Sequence, residues 1–105
     1  FMADLLKEIT IPCEITFVRV RSYEATASTG TVREIMGLGE DVAGRHLIVV
    51  EDIVDTGLTM ADVTAQLRAK NPASVAVATL LFKPDALQTG QTPEYIGFSI
   101  ENQFV

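Results

Sequence analysis

Residues 46–50 (HLIVV) form a short, continuous apolar run, the pattern of a strand covered on both faces. The run passes into a polar stretch, 51–58, that contains Gly57. From Thr59 the pattern turns helical. Met60, Val63 and Leu67 make a stripe, and Thr59 with Asp62 has the spacing of a capping box. Arg68 and Lys70 fall in the last turn, where cations suit the helix dipole, and Asn71-Pro72 stops the helix. Residues 75–82 (VAVATLLF) then form a second buried strand. Strand, loop, helix and strand in this order make a βαβ unit, so the two strands are expected to be parallel with a right-handed crossover. A chain built on that unit is confined to the α/β class.

The flanking segments fill in the rest. Met2, Leu5, Leu6 and Ile9 recur at helical spacing over residues 1–9, and Ile11-Pro12 ends that helix. Residues 14–21 (EITFVRVR) are rich in β-branched and aromatic types and read as a strand. Residues 24–30 are small and polar with almost nothing to bury, so a mobile loop is expected there, with 32–36 as the returning strand of a long-tipped hairpin. Gly37, Gly39 and Gly44 mark turns, residues 85–93 a surface connection, and 95–100 one more strand. No repeat or domain boundary interrupts residues 1–105, which are expected to form a single domain.

The composition narrows the partners. Eight basic against fourteen acidic residues leave a net charge of -6, which argues against nucleic acid and against an anionic membrane. A polyphosphate ligand would need a divalent cation between it and such a protein, which makes magnesium the expected cofactor. Cys13 is the single cysteine, so no intrachain disulfide is possible, and it is expected to be a small buried or half-buried apolar residue. The longest apolar stretch is far too short to span a bilayer, and no signal-like opening is present. A cytoplasmic location is expected.

The chemistry concentrates in residues 51–59 (EDIVDTGLT), which leave the carboxyl end of a buried strand and enter a helix. In open α/β sheets ligands bind at this place, and the orphan N–H groups of a helix start suit an anion. Gly57 permits close backbone approach, and the Thr56 and Thr59 hydroxyls can donate to phosphate oxygens. The P-loop lysine and the dinucleotide spacing are both missing. Glu51 and Asp52 stand side by side and repel unless a cation or hydroxyl groups meet them. A phosphate at the helix with carboxylates one loop-length away describes a sugar phosphate; an ordinary acidic β–α loop is the plain alternative.

The run LIVVEDIVDTGLT resembles the phosphoribosyl-diphosphate (PRPP) signature of the type I phosphoribosyltransferases, and its Glu-Asp pair resembles the hypoxanthine-guanine branch. FMADLL resembles the helix after the family's pyrophosphate loop. VRVRSYEATASTG resembles its strand and flexible catalytic loop, LLFKP the strand end carrying the purine-reading lysine, and IGFSIENQFV the approach to the base-stacking aromatic. The resemblance implies a parallel-sheet, Rossmann-like core with a flexible hairpin loop. It also implies purine salvage: transfer of the 5-phosphoribosyl group from PRPP to hypoxanthine or guanine, giving the nucleoside monophosphate and pyrophosphate.

Position by position, the resemblance implies that Glu51 and Asp52 hold the ribose hydroxyls, directly or through magnesium. Asp55 handles the proton near purine N7, and Asp55, Thr56, Gly57, Leu58 and Thr59 cradle the 5′-phosphate. Lys83 donates to the 6-oxo oxygen, Phe104 stacks on the purine, and the Val105 backbone reads its edge. Ser22 and Tyr23 belong to a loop that folds over the site and excludes water from an oxocarbenium-like transition state. A homodimer or homotetramer is implied as well. Leu58 replaces a lysine of some relatives, and no arginine follows Lys83 closely, which removes the expectation of a pyrophosphate contact there.

The family's pyrophosphate loop falls before Phe1 and its late magnesium-binding aspartate after Val105. The chain is therefore expected to be cut short at both ends and inactive by itself, with an exposed sheet edge. Two other classes compete: a non-catalytic module sensing PRPP or nucleotides, and a magnesium-dependent phosphatase using Asp55. The Ser22-Tyr23 loop and Lys83 favour the transferase; no lysine partner for a phosphatase is evident. His46 is expected to be structural, Arg19 and Arg21 to share a polar face, and Tyr95 and Phe98 to be core residues.

Overall fold

The expected βαβ unit is present. In the computed structural model, which describes residues 1–24 and 31–101, strand β3 (His46–Val54) leads through a short loop to helix α2 (Leu58–Arg68) and back to strand β4 (Ser74–Phe82). β3 and β4 pair in parallel, from His46 opposite Ser74 to Val54 opposite Phe82. Strand β5 (Tyr95–Ser99) adds in parallel on the far side of β4, giving the order β3-β4-β5. Helix α1 (Met2–Glu8) precedes a separate antiparallel hairpin of β1 (Arg19–Glu24) and β2 (Thr31–Met36).

The stripe on α2 behaves as its spacing predicts: Met60, Val63, Thr64 and Leu67 are buried, and with Val54, Val77 and Phe82 they form the core. Burying each of these apolar side chains contributes about 1.5–3 kcal/mol. The Thr64 hydroxyl donates back to the Met60 and Ala61 carbonyls, which satisfies a polar group inside that core. Asn71 adopts φ 60°, the left-handed conformation that ends many helices.

Several expectations need correction. The first strand begins at Arg19 rather than residue 14, because its only partner among the described residues ends where Met36 lies opposite Arg19 and the chain then turns at Gly37. A strand without a ladder partner leaves its backbone groups unpaired. β3 continues past Val50 to Val54, because β4 extends to Phe82 and supplies the missing partners; Glu51 and Asp52 are strand residues. Helix α2 starts at Leu58 with Gly57 as its N-cap, and no side chain caps it. Asp62 does not close a capping box but pairs with Arg33 of β2 at 2.7 Å. The helix ends at Arg68, so Lys70 lies beyond its last turn.

The sheet is not covered on both faces by the described residues. Ile48 is 62% exposed, and Tyr95 and Phe98, expected in the core, are 60% and 64% exposed. Helix α2 packs against β4, where Val77 and Thr79 are buried. Cys13 is exposed rather than buried. Residues 25–30, most of the expected loop, lie outside the described residues. Glu24 belongs to β1, as do Ser22 opposite Arg33 and Tyr23 opposite Val32.

The hairpin is docked onto α2 by side chains. Gln66 donates from its amide to the Arg33 carbonyl at 2.6 Å and accepts from the Ile35 N–H at 3.3 Å. One carboxamide thus takes the place of a neighbouring strand at the edge of β2.

Candidate active site

Parallel pairing carries β3, β4 and β5 to a common carboxyl edge, and two backbone bonds prolong the ladder there. The Lys83 N–H donates to the Val54 carbonyl at 3.0 Å, and the Ile100 N–H donates to the Phe82 carbonyl at 2.8 Å. The first of these brings Lys83 beside Asp55. The ammonium of Lys83, only 5% exposed as a residue, lies 3.5 Å from Asp55 Oδ2. A buried ammonium is costly unless paired, and Asp55 is its counter-charge.

Between Asp55 and α2 the chain makes a tight turn. Gly57 is buried with φ 83°, and the first helical bond runs from the Ala61 N–H to the Gly57 carbonyl at 2.9 Å. The Leu58 N–H donates to the Thr56 hydroxyl at 3.3 Å. A pocket of about 220 Å³ opens beside this turn, lined by Glu51, Asp55, Thr56, Gly57 and Thr59 together with Ile53, Val54 and Met60. The volume and the donor-rich helix start suit a small anionic ligand.

Glu51 is half-buried, and its carboxyl is held above the usual range, first by burial and then by the neighbouring charge of Asp52. Asp52 itself is exposed and does not line the pocket. Successive strand residues point to opposite faces, which separates these two carboxylates. Leu58 is 40% exposed and also stands outside the pocket lining. Ser22 lies exposed in β1, remote in the chain from this turn; Phe104 and Val105 fall outside the described residues. His46 bonds through Nδ1 to the Ser74 hydroxyl at 2.8 Å, at the opposite end of β3 from the pocket.

One set of residues went unnoticed in the sequence. The connection after β4, expected simply to cross the surface, packs against the turn: the Gln88 N–H donates to the Thr56 carbonyl at 2.8 Å. A Cβ at position 57 would stand 2.6 Å from Leu87 Cδ1 and 2.9 Å from Thr89 Oγ1. No local pattern announces such a long-range contact. The glycine alone hinted that something comes close.

This strand-turn-helix site has relatives. The phosphoribosyl transferase domain profile matches residues 1–105. The chain belongs to that family. It is 42% identical over 106 aligned positions to the hypoxanthine-guanine phosphoribosyltransferase of Mycobacterium bovis, covering 100% of this chain and 52% of that protein. It is 39% identical to the hypoxanthine phosphoribosyltransferase of Salmonella typhimurium, covering 100% of this chain and 60% of the relative. Among solved structures, a hypoxanthine phosphoribosyltransferase from Trypanosoma cruzi in a ternary substrates complex superposes with a TM-score of 0.87 at 27% identity. That match covers 98% of this chain and 57% of the other. The architecture described above is therefore that of a type I phosphoribosyltransferase, and the chain spans about half the length of the curated relatives it matches.

Proposed function

We propose that the protein carrying this phosphoribosyltransferase domain is a purine-salvage enzyme that transfers the 5-phosphoribosyl group of PRPP to hypoxanthine or guanine. The observation that carries the reading is the pairing of buried Lys83 with Asp55 at the mouth of the Gly57 turn. In this reading Lys83 is the hydrogen-bond donor and Asp55 the proton acceptor for a 6-oxopurine, beside a cradle for a sugar phosphate. The named relatives support the same assignment.

In this mechanism the Thr56 and Thr59 hydroxyls and the backbone N–H groups of the turn hold the 5′-phosphate, while Leu58 contributes main chain only. Lys83 turns from Asp55 to the purine 6-oxo oxygen. An amino group at that position leaves the buried ammonium unpaired, so adenine is rejected. Asp55, released from Lys83, accepts the proton from the N7 side as a purine nitrogen displaces pyrophosphate from ribose C1. Ser22 and Tyr23 close over the reacting centre, and Phe104 and Val105 stack on and read the base.

Glu51 and Asp52 would hold the ribose hydroxyls, directly or through magnesium; Glu51 already lines the pocket, whereas Asp52 would reach them only after a change at the strand end. No group of three or more metal-ligating side chains occurs among the described residues. Magnesium takes one or two carboxylates and completes its shell with substrate oxygens and water, and Glu51 and Asp52 would supply the carboxylates. When bound, the cation supplies charge neutralisation to the pyrophosphate. Half-buried Glu51, disfavoured as an anion by itself, is the carboxylate that gains most from a cation or diol.

Cytoplasmic location and assembly into a homodimer or homotetramer accompany this reading. No described helix is long and apolar enough to cross a membrane. The test is nucleotide formation from PRPP, magnesium and a panel of bases by the full-length product of the gene that carries this chain. Turnover with hypoxanthine or guanine, largely lost in Asp55→Asn, is expected. Binding of PRPP without turnover on any base would instead favour a sensing module, an alternative that the named relatives do not support.

A further inference from the structure

The connection after β4 holds the phosphate turn from behind. Its first residues form a 3-10 turn, Pro84–Ala86, immediately after Lys83. Leu87 and Thr89 then fill the space that any side chain at position 57 would need, and Gln88 bonds to the Thr56 carbonyl between them. Leu87 and Thr89 are half-buried, as is Ala86, while Gln88 between them is exposed, so the approach is a seated contact.

The consequence for an anion is geometric. A trans peptide is planar, with its C=O and N–H pointing in opposite directions. Because Gln88 holds the Thr56 carbonyl, the Gly57 N–H of the same peptide unit points away from the 87–89 segment. Gly57 also lines the pocket beside Glu51 and Thr59. Gly57 at φ 83° has the whole positive-φ basin open to it, so something outside the turn must select one orientation of that peptide.

We propose that Leu87 and Thr89 are positioning residues for 5′-phosphate binding: they seat Gly57 and keep the Thr56–Gly57 peptide oriented for the anion without touching substrate. The inference rests on the functional reading above, which places the phosphate in this turn. It assigns a role to the segment in which the sequence lacks an arginine.

The experiment compares Leu87→Ala, Thr89→Ala and Leu87→Ile with the unaltered full-length protein. It measures KM for PRPP and for hypoxanthine, kcat, the ribose 5-phosphate dissociation constant and the melting midpoint. In Leu87→Ala the PRPP KM and the ribose 5-phosphate dissociation constant are expected to rise about ten-fold, with kcat and the hypoxanthine KM held within about two-fold. Thr89→Ala shifts the same two quantities in the same direction, and Leu87→Ile restores them. Equal losses on PRPP and hypoxanthine, or unchanged phosphate affinity in both alanine variants, overturn the proposal. Should Leu87→Ala fail to fold, Thr89→Ala decides by the same criteria. An unaltered protein that makes no nucleotide but binds ribose 5-phosphate defeats the functional reading alone, and the dissociation constants still decide the positioning role. Absence of ribose 5-phosphate binding in the unaltered protein defeats both.

Discussion

Lys83 and Asp55 are partners across two parallel strands, 3.5 Å apart from Nζ to Oδ2, and the Lys83 N–H to Val54 carbonyl bond sets their spacing. The pair is asymmetric: the lysine side chain is 6% exposed and the aspartate 52%. Removing Asp55 strands a buried charge, whereas removing Lys83 leaves a carboxylate that water can still reach.

Asp55→Asn is therefore expected to destabilise the free protein by about 1–2 kcal/mol, less than a fully buried pair because the aspartate is half-solvated. It should also lower kcat by about 100-fold if Asp55 handles the proton. Denaturant titration and steady-state nucleotide formation check the two parts separately. A fully active Asp55→Asn enzyme would remove the proton-handling role.

Gly57→Ala places a Cβ at φ 83° and drives it against Leu87 and Thr89. Left-handed strain alone costs about 1–2 kcal/mol, and the clash adds to it. The melting midpoint should fall, and phosphate affinity should fall further than stability predicts. A variant with unchanged stability would mean that the 87–89 segment yields easily.

Glu51 links stability to pH. Its folded carboxyl is raised by burial and by Asp52, so the folded state holds the proton more tightly than the unfolded chain. Stability attributable to this group is full below the unfolded value and is lost as pH rises through the folded one. Glu51→Gln should accordingly raise the melting midpoint of the ligand-free protein at neutral pH, with the gain vanishing in acid. Magnesium with PRPP should stabilise the unaltered protein more than the variant. An equal shift by ligand in both proteins would take Glu51 out of the binding site.

Gln66→Ala removes the amide that serves both Arg33 and Ile35, and should cost about 1–3 kcal/mol with two backbone groups left to water or unpaired. Hydrogen exchange at Ile35 should accelerate more than exchange within β3 and β4. If protection at Ile35 survives the substitution, the hairpin is held by the Arg33–Asp62 pair instead.

Some of this was legible from local pattern and some was not. Met60, Val63 and Leu67 announced the buried face of α2 because helical period and burial share one geometry. Gly57 announced a turn because few other residues tolerate its φ. The capping box failed: Thr59 and Asp62 have the spacing, but Asp62 found a stronger partner in Arg33, twenty-nine residues away. Tyr95 and Phe98 misled in a different way. Strand propensity places them in β5 correctly, but burial depends on what packs over the strand.

The order of elements, the parallel βαβ unit and the place of the glycine turn between β3 and α2 were determined by sequence alone, since periodicity, glycine and charge act within a few residues of themselves. The extension of β3 through Glu51 and Asp52, the approach of Lys83 to Asp55 and the seating of Gly57 against Leu87 and Thr89 were decided only by tertiary structure. Each of these depends on where a second segment runs. A strand ends where its partner ends, and an ion pair forms only where two ladders bring opposite charges to one edge.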